Sequence, residues 1–433
     1  MAQAARVAVV GGGIGGLTAA AFAARAGAQV TLFERMAETG GRGRSRDERG
    51  FTFNLGPHAL YLGGPAMAAL RELGIEPAGK SPDTSGGLGW LDGRLHALPG
   101  GAVSLLTTGL LGLSEKLELG GLLSRVPKLV AEASPSVSVS EYLAAKVRSP
   151  RVRELLAALV RLTTYAHAPD AMASDAALAQ VALGLGPGVR YLDGGWQPMI
   201  DALEAKARAA GVTVARAAKV ERVLHDGSTR GVALASGEAF EADAVILALG
   251  PDEASELVDA GRHPFFLRAL AARIPVRAAC LDLGLSHLPN PKRTFALGID
   301  RPLYCSVHSA AAKLAPDGAA SLVLARYFAP DERPERAELE RDFERLLDAL
   351  QPGWRKLVVT RKLLRDLVVT HDLPQAARGG LAGRTPCQVT GIANLWLAGD
   401  WVGPTALLVD ASFASAKVAA QGAAGARGVR VAA

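Results

Sequence analysis

The sequence is poor in the residues that build metal sites, disulfide frameworks and membrane spans. Among 433 residues there are three cysteines, Cys280, Cys305 and Cys387, with no C-x-x-C spacing. Thiols so few and so placed exclude a disulfide scaffold and suit a reducing compartment. The histidines are scattered, with no H-E-x-x-H and no His/Cys cluster, so no metal site is expected. No G-x-S-x-G elbow is present, which removes the serine hydrolases that use one. No apolar run reaches transmembrane length. The nearest, Ala97 to Ser114, is uncharged but broken by Pro99, several glycines and two threonines. The first residues lead at once into a strand, so no signal peptide is expected and a cytoplasmic location is. No block of five like charges occurs, and 48 basic against 42 acidic residues leave a net charge of only +6. A nucleic-acid-binding tail is thereby excluded.

What is present is ordinary globular composition, 49% hydrophobic and 21% charged. A chain of this length exceeds what one hydrophobic core usually supports, so two domains are expected. Arg6 to Val10 reads as a strand, Gly15 to Ala26 as a helix and Gln29 to Phe33 as a second strand: a β-α-β unit. The stretch from Leu60 to Leu185 reads mostly as helix, including Pro65–Leu73, Leu113–Val130, Val139–Lys146 and Arg151–Leu162. A helix from Gln197 to Ala210 and four strand-like pieces up to Leu249 follow. From Ala278 to Val369 strands alternate with one charged helix, Arg333 to Leu350, before a last strand, Leu395 to Ala398, and a last helix, Leu407 to Ala424.

The first β-α turn reads Gly11-Gly12-Gly13-Ile14-Gly15-Gly16, a G-x-G-x-x-G on Gly11, Gly13 and Gly16. Gly11 permits the tight turn, Gly13 lets the backbone approach a pyrophosphate, and Gly16 lets helix and strand pack closely. The helix N-terminus then offers free N–H groups and a partial positive charge to phosphates. Glu34, eighteen residues after Gly16, ends the second strand, where a carboxylate accepts from both ribose hydroxyls and repels a 2′-phosphate. The motif alone does not separate NAD from FAD. Gly40-Gly41-Arg42-Gly43-Arg44 follows directly. Its glycines allow close passage beside a dinucleotide, and Arg42 can donate charge-assisted hydrogen bonds to the pyrophosphate.

The run from Val7 to Ser45 resembles the FAD-binding signature of the flavin amine oxidase, protoporphyrinogen oxidase and phytoene desaturase superfamily. Gly194-Gly195-Trp196 and the strands from Val212 to Glu221 resemble its second FAD segment, and Asn394 to Asp400 resemble its closing motif. The resemblance implies an α/β chain: an extended Rossmann-type FAD-binding domain with a mixed α+β substrate domain built from two insertions. The expected division is 1–60, 186–260 and 385–433 for the first, 61–185 and 261–384 for the second. It implies non-covalent FAD held by Gly11, Gly13, Ile14, Gly15, Gly16, Glu34, Arg35, Gly41 and Arg42. Gly56 and Pro57 would line the flavin, Val220 would meet the adenine, Gly399 and Asp400 would hold the ribityl chain, and Leu408 would open the helix aimed at the flavin. His58 would face the ring or the substrate, with a proton-transfer role or that of a buried turn histidine. Tyr61, Tyr165, Trp196, Tyr304 and Trp401 are substrate-side candidates.

The implied activity is that of an FAD-dependent oxidoreductase. Hydride passes from an apolar isoprenoid, carotenoid, porphyrinogen or lipid-like substrate to flavin N5, with oxygen or a quinone as electron acceptor. A lysine often found near the flavin in amine oxidases has no counterpart in Val276 to Leu283, which carries Arg277 instead. The alternatives are a flavin amine oxidase and, in another class, a non-catalytic FAD- or lipid-binding protein. The leucine-rich helices from Val103 to Val130 read as core, with a peripheral membrane contact as the other reading.

Overall fold

The computed structural model describes residues 4–83 and 85–426. Its first sheet is five-stranded and parallel, in the order Thr213–Ala215, Gln29–Phe33, Arg6–Val10, Ala244–Leu247, Leu395–Leu397. The strands come from the start, the middle and the end of the chain. Arg6–Val10 is central and buried on both faces, which is why it reads as an unbroken apolar run. The helix Ile14–Arg25 is apolar nearly all round, as a helix between two layers must be. Its Leu17, Ala20 and Phe22 share a core with Phe413, Ala416 and Ala420 of the last helix, Leu408–Ala424.

The second sheet has seven strands, in the order Val358–Thr370, Val276–Leu285, Ala320–Tyr327, Leu303–Val307, Phe295–Gly298, Leu88–Leu91, Arg94–Ala97. One face is apolar. Leu281, Leu283, Leu322 and Leu324 meet Leu339, Phe343, Leu346, Leu347 and Leu350 of the helix Arg336–Leu350. Those five helix side chains recur at three- and four-residue spacing and are fully buried. At about 2 kcal/mol each they contribute on the order of 10 kcal/mol of gross burial energy.

The region from Leu60 to Leu185, read as mostly helical, also supplies a hairpin, Leu88–Leu91 with Arg94–Ala97, that extends the second sheet. The expected helix from Leu113 to Val130 is two helices, Leu113–Leu123 and Val126–Glu132. The break lies at Ser124 and Arg125 because Pro127 has no N–H to donate and fits only a first turn. The charged helix begins at Arg336 rather than Arg333, after Pro334. No described helix is long and apolar enough to cross a membrane.

Candidate active site

The glycine loop is built as its spacing predicts. Gly11 has φ +104°, and a methyl group on Gly16 would lie 1.8 Å from the Gly11 carbonyl oxygen. Helix and strand therefore touch backbone to backbone. Gly13 differs: a methyl group there would meet nothing within 4 Å. Gly13 is the N-cap of Ile14–Arg25 and offers no side-chain cap, so the N–H groups of Ile14, Gly15 and Gly16 open onto that space. The loop 40–43 crosses beside it, with Gly40 paired to Gly13 and its N–H donating to the Gly12 carbonyl at 2.7 Å. An open cradle walled by amide donors at a helix N-terminus fits the pyrophosphate of a dinucleotide.

Glu34 is buried at the end of its strand. Its two oxygens accept from the N–H groups of Gly12 at 2.7 Å and Met36 at 2.8 Å, which fixes the carboxylate beside the cradle with further lone pairs for ribose hydroxyls. Arg35, next along the chain, is exposed. Behind the loop, Thr39 donates to Glu204 at 2.6 Å. Burial alone would raise the Glu204 pKa, but hydrogen bonds from Thr39, Arg216 and Arg208 outweigh it and hold the carboxyl down at about 2. The anchor stays ionised at any neutral pH.

Arg42, expected to meet the pyrophosphate, donates to Asp400 at 2.7 Å and to the carbonyls of Val368 and Val369 at 3.3 and 3.2 Å. Asp400 also meets Nδ1 of His371 at 3.0 Å. Asp400 is buried, which by itself raises a carboxyl pKa. The Arg42 charge and the His371 and Arg42 hydrogen bonds reverse that and hold it well below the usual range. The Gly-Gly-Arg loop, the long strand Val358–Thr370 and the closing motif are thus pinned at one point.

After Asp400 the chain is held by a residue that sequence reasoning missed. Arg384 is buried and donates to four backbone carbonyls: Gly403 at 3.0 Å, Asp400 at 3.0 Å, Thr405 at 3.1 Å and Ala406 at 2.9 Å. Ala406 and Leu408 within this segment have φ of +57° and +56°, a conformation that non-glycine residues rarely adopt. Arg384 thereby sets where the last helix begins. Gly399 sits above Ser415, whose hydroxyl accepts its N–H at 2.9 Å.

Gly56, with φ +104°, faces Leu367 on the long strand, and Pro57 and His58 follow it. Nδ1 of His58 lies 2.8 Å from the Gly56 carbonyl. A carbonyl only accepts, so Nδ1 carries the proton and Nε2 keeps a free lone pair. Burial lowers the His58 pKa, with the Arg42 charge acting in the same direction against a hydrogen bond to Gly56, so the ring is neutral at neutral pH. The Trp196 ring stands edge-on to it at 4.6 Å.

The structure brings together Tyr61, Tyr165 and Tyr304, and adds Tyr191 and Tyr327 to them. Tyr61 donates to the Thr163 carbonyl at 2.7 Å, Tyr165 and Tyr327 have ring centroids 6.0 Å apart, and the hydroxyls of Tyr191 and Tyr304 are 3.0 Å apart. Trp401 stands apart from them. It packs beneath the parallel sheet with Leu247 and Leu397 and donates to the Leu249 carbonyl at 3.0 Å. Val220 begins a strand of a separate three-stranded sheet and is buried. The three cysteines are free and buried. Among the described residues no group of three or more His, Cys, Asp or Glu is placed to hold a metal ion.

Known proteins resemble this chain in sequence and in fold. The sequence profile of the family described as flavin containing amine oxidoreductase matches residues 14–424. A zeta-carotene-forming phytoene desaturase of Myxococcus xanthus is 31% identical over 280 residues, 56% of this chain and 53% of that protein. A 4,4'-diapolycopen-4-al dehydrogenase of Metabacillus indicus is 26% identical over 276 residues, 56% of this chain and 55% of that one. The chain thus spans about half the length of these curated relatives. Among solved structures, an oxidoreductase from Methanosarcina mazei superimposes with a TM-score of 0.76 at 20% identity, over 96% of this chain and 100% of that one. Cyclohexylamine oxidase from Brevibacterium oxydans gives 0.72 at 19% identity, over 98% and 99%. At such identities the structures speak for the fold. The glycine cradle, the buried Glu34 and the profile match over nearly the whole chain lead to one assignment: this protein belongs to the flavin-containing amine oxidoreductases.

Proposed function

We propose that the chain dehydrogenates an isoprenoid-like substrate. The observation that carries this reading is an apolar cleft in the helical insertion, walled by Leu122, Leu129, Leu143, Leu159, Val181 and Leu185. A hydrocarbon chain gains from burial there, at about 0.8 kcal/mol per methylene. The relatives named above carry carotenoid desaturase and dehydrogenase names in support. The FAD domain is read as 1–60, 186–260 and 385–433, and the substrate domain as the two insertions between.

The chain's residues have separable tasks. The amides of Ile14 to Gly16 would hold the pyrophosphate of FAD, Glu34 the ribose, and Asp400, set by Arg42 and His371, the ribityl chain. Gly56 and Pro57 would line the ring. FAD, when bound, supplies the two-electron acceptor for a hydride leaving one substrate carbon. Nε2 of His58 takes the proton from the neighbouring carbon, so that a C=C bond forms and charge balances. Reoxidation falls to oxygen or a quinone.

Under anaerobic conditions an acyclic isoprenoid is expected to bleach the bound flavin, and simple amines are not. Amines that bleach it while isoprenoids do not would replace this reading with an amine oxidase. His58→Gln is expected to slow the bleaching by about 10²- to 10⁴-fold with FAD content unchanged. Only the neutral imidazole accepts a proton, and its pKa lies below the ordinary 6.5. The rate should therefore be flat through neutral pH and fall only as the solution becomes more acidic than that value. A rate that rises on acidification would contradict the base role.

The same reading assigns the substrate's route of entry. Val103, Leu106, Leu113 and Leu117 lie on two neighbouring helices and are 71–76% exposed, far beyond scattered surface leucines. We read them as a peripheral contact with a bilayer that holds the substrate. Co-sedimentation with lipid vesicles should occur and be lost in a Leu113→Glu, Leu117→Glu double variant. Retention of binding by that variant would refute the contact.

A further inference from the structure

The second sheet has two buried faces of opposite character. The face against Arg336–Leu350 is mostly hydrocarbon, apart from the buried Arg326–Asp342 ion pair. The other carries Cys280 and Asp282 on one strand, Ser321 and Tyr327 on the next, and Tyr304 and Ser306 on the third; the register sets Cys280 level with Tyr304 and Asp282 level with Ser306. All six are buried. Tyr304 and Tyr191 share a hydrogen bond at 3.0 Å, Tyr191 reaches Ser306 at 3.2 Å, and Tyr304 reaches Nε2 of His308 at 3.1 Å. The His308 ring stacks on Tyr191 at 4.1 Å, and burial lowers its pKa to about 3, so it is a neutral hydrogen-bonding partner.

Three groups on this face have no partner among the described residues: the Tyr327 hydroxyl, the Ser321 hydroxyl and Oδ2 of Asp282. All three residues are at least 99% buried. The other oxygen of Asp282 accepts from the Cys280 thiol at 3.5 Å, and burial raises the Asp282 pKa to about 7. Tyr327 stands edge-on to Tyr165, two residues past Thr163, whose carbonyl accepts from the Tyr61 hydroxyl. Tyr61 lies three residues after His58, and its strand pairs with the strand that carries Tyr191. This polar face therefore overlooks the same site.

A buried hydroxyl set against hydrocarbon costs about 1–3 kcal/mol when it has no partner. A site for a pure hydrocarbon would be cheaper with Phe and Leu here, as on the sheet's other face. We propose that the substrate carries a hydroxyl or carbonyl oxygen on its isoprenoid frame, and that the Tyr327 hydroxyl hydrogen-bonds it. The proposal rests on the isoprenoid reading above and narrows it. A polar group built to meet a substrate oxygen also rejects the analogue without one, because the site's own group is then left unpaired.

The test uses the FAD-loaded protein with geranylgeraniol, geranylgeranial and the parent alkene of the same chain. Binding is read from the perturbation of the flavin spectrum and turnover from anaerobic bleaching. An oxygenated probe should bind and react roughly 10²-fold better than the alkene. Tyr327→Phe, which removes one atom and keeps the ring, should abolish that preference with FAD content and melting temperature unchanged. Ser236→Ala, which removes an exposed hydroxyl from a turn of the separate three-stranded sheet, should leave the preference intact. Equal binding of alkene and oxygenated probes, or a preference that survives Tyr327→Phe, overturns the proposal alone. Failure of every probe to bind overturns it together with the isoprenoid reading.

Discussion

Gly13→Asp is expected to leave a folded protein that no longer takes up FAD, and Gly16→Ala a protein whose first β-α unit no longer closes. The two differ because the neighbouring space differs. At Gly16 a methyl group would overlap the Gly11 carbonyl, 1.8 Å from its oxygen. Backbone cannot move aside as a side chain can, so the helix must leave the strand. We expect a loss of at least about 3 kcal/mol, the upper end for overpacking. At Gly13 there is no such neighbour, and its φ of −75° suits any residue. An aspartate there occupies the N-cap, where it stabilises a helix over glycine by a few tenths of a kcal/mol. It also sets a carboxylate in the cradle proposed to take the pyrophosphate. Like charges so placed cost several kcal/mol, a fall in FAD affinity of roughly 10²- to 10³-fold. Urea unfolding of the apoprotein and FAD titration separate the two effects. A Gly13→Asp protein with unchanged FAD affinity would move the pyrophosphate elsewhere.

Arg384→Met is expected to be nearly as damaging, from a position that binds nothing itself. Four carbonyls lose their donor at once. A buried, unpartnered acceptor costs about 1–3 kcal/mol, so a total of at least about 4 kcal/mol is expected, part of it recovered as water enters. The positive φ of Ala406 and Leu408 stores about 1–2 kcal/mol at each, and the segment relaxes once unpinned. Amides between Asp400 and Leu408 should exchange faster in the variant, and FAD should be released more readily. Arg384→Lys, with one ammonium in place of a planar fork, should recover only part of the loss. Unchanged exchange protection across that segment would show that Arg384 does not organise it.

The parts of the molecule legible in the sequence are those whose determinants are neighbours in the chain. The Arg6–Glu34 unit carries strand, glycines, helix, strand and acid in order, and the steric tasks of Gly11 and Gly16 followed from their positions. The residues that escaped notice act across long separations. Arg384 sits in a Gly-Arg-Thr-Pro stretch that matches none of the motifs, and only the fold turns it under the segment that precedes the last helix. His371 meets Asp400 29 residues later. Tyr327 ends the apolar run from Ala320, and nothing in that run says that alternate residues face a polar site rather than core. The hairpin Leu88–Leu91 and Arg94–Ala97 lies in a region dominated by helices, and its pairing with Phe295–Gly298 is a tertiary contact that local preference does not encode. Trp401 illustrates the reverse: proximity in sequence to the closing motif placed it near substrate, whereas the fold uses it as core.

The measurement that tests the account most directly is identification of the molecule released when the purified protein is heated. The account predicts a yellow protein that loses its colour on denaturation and yields one equivalent of FAD by chromatography, with none left attached to the chain. A colourless protein that does not bind added FAD, or one that yields NAD, would contradict it.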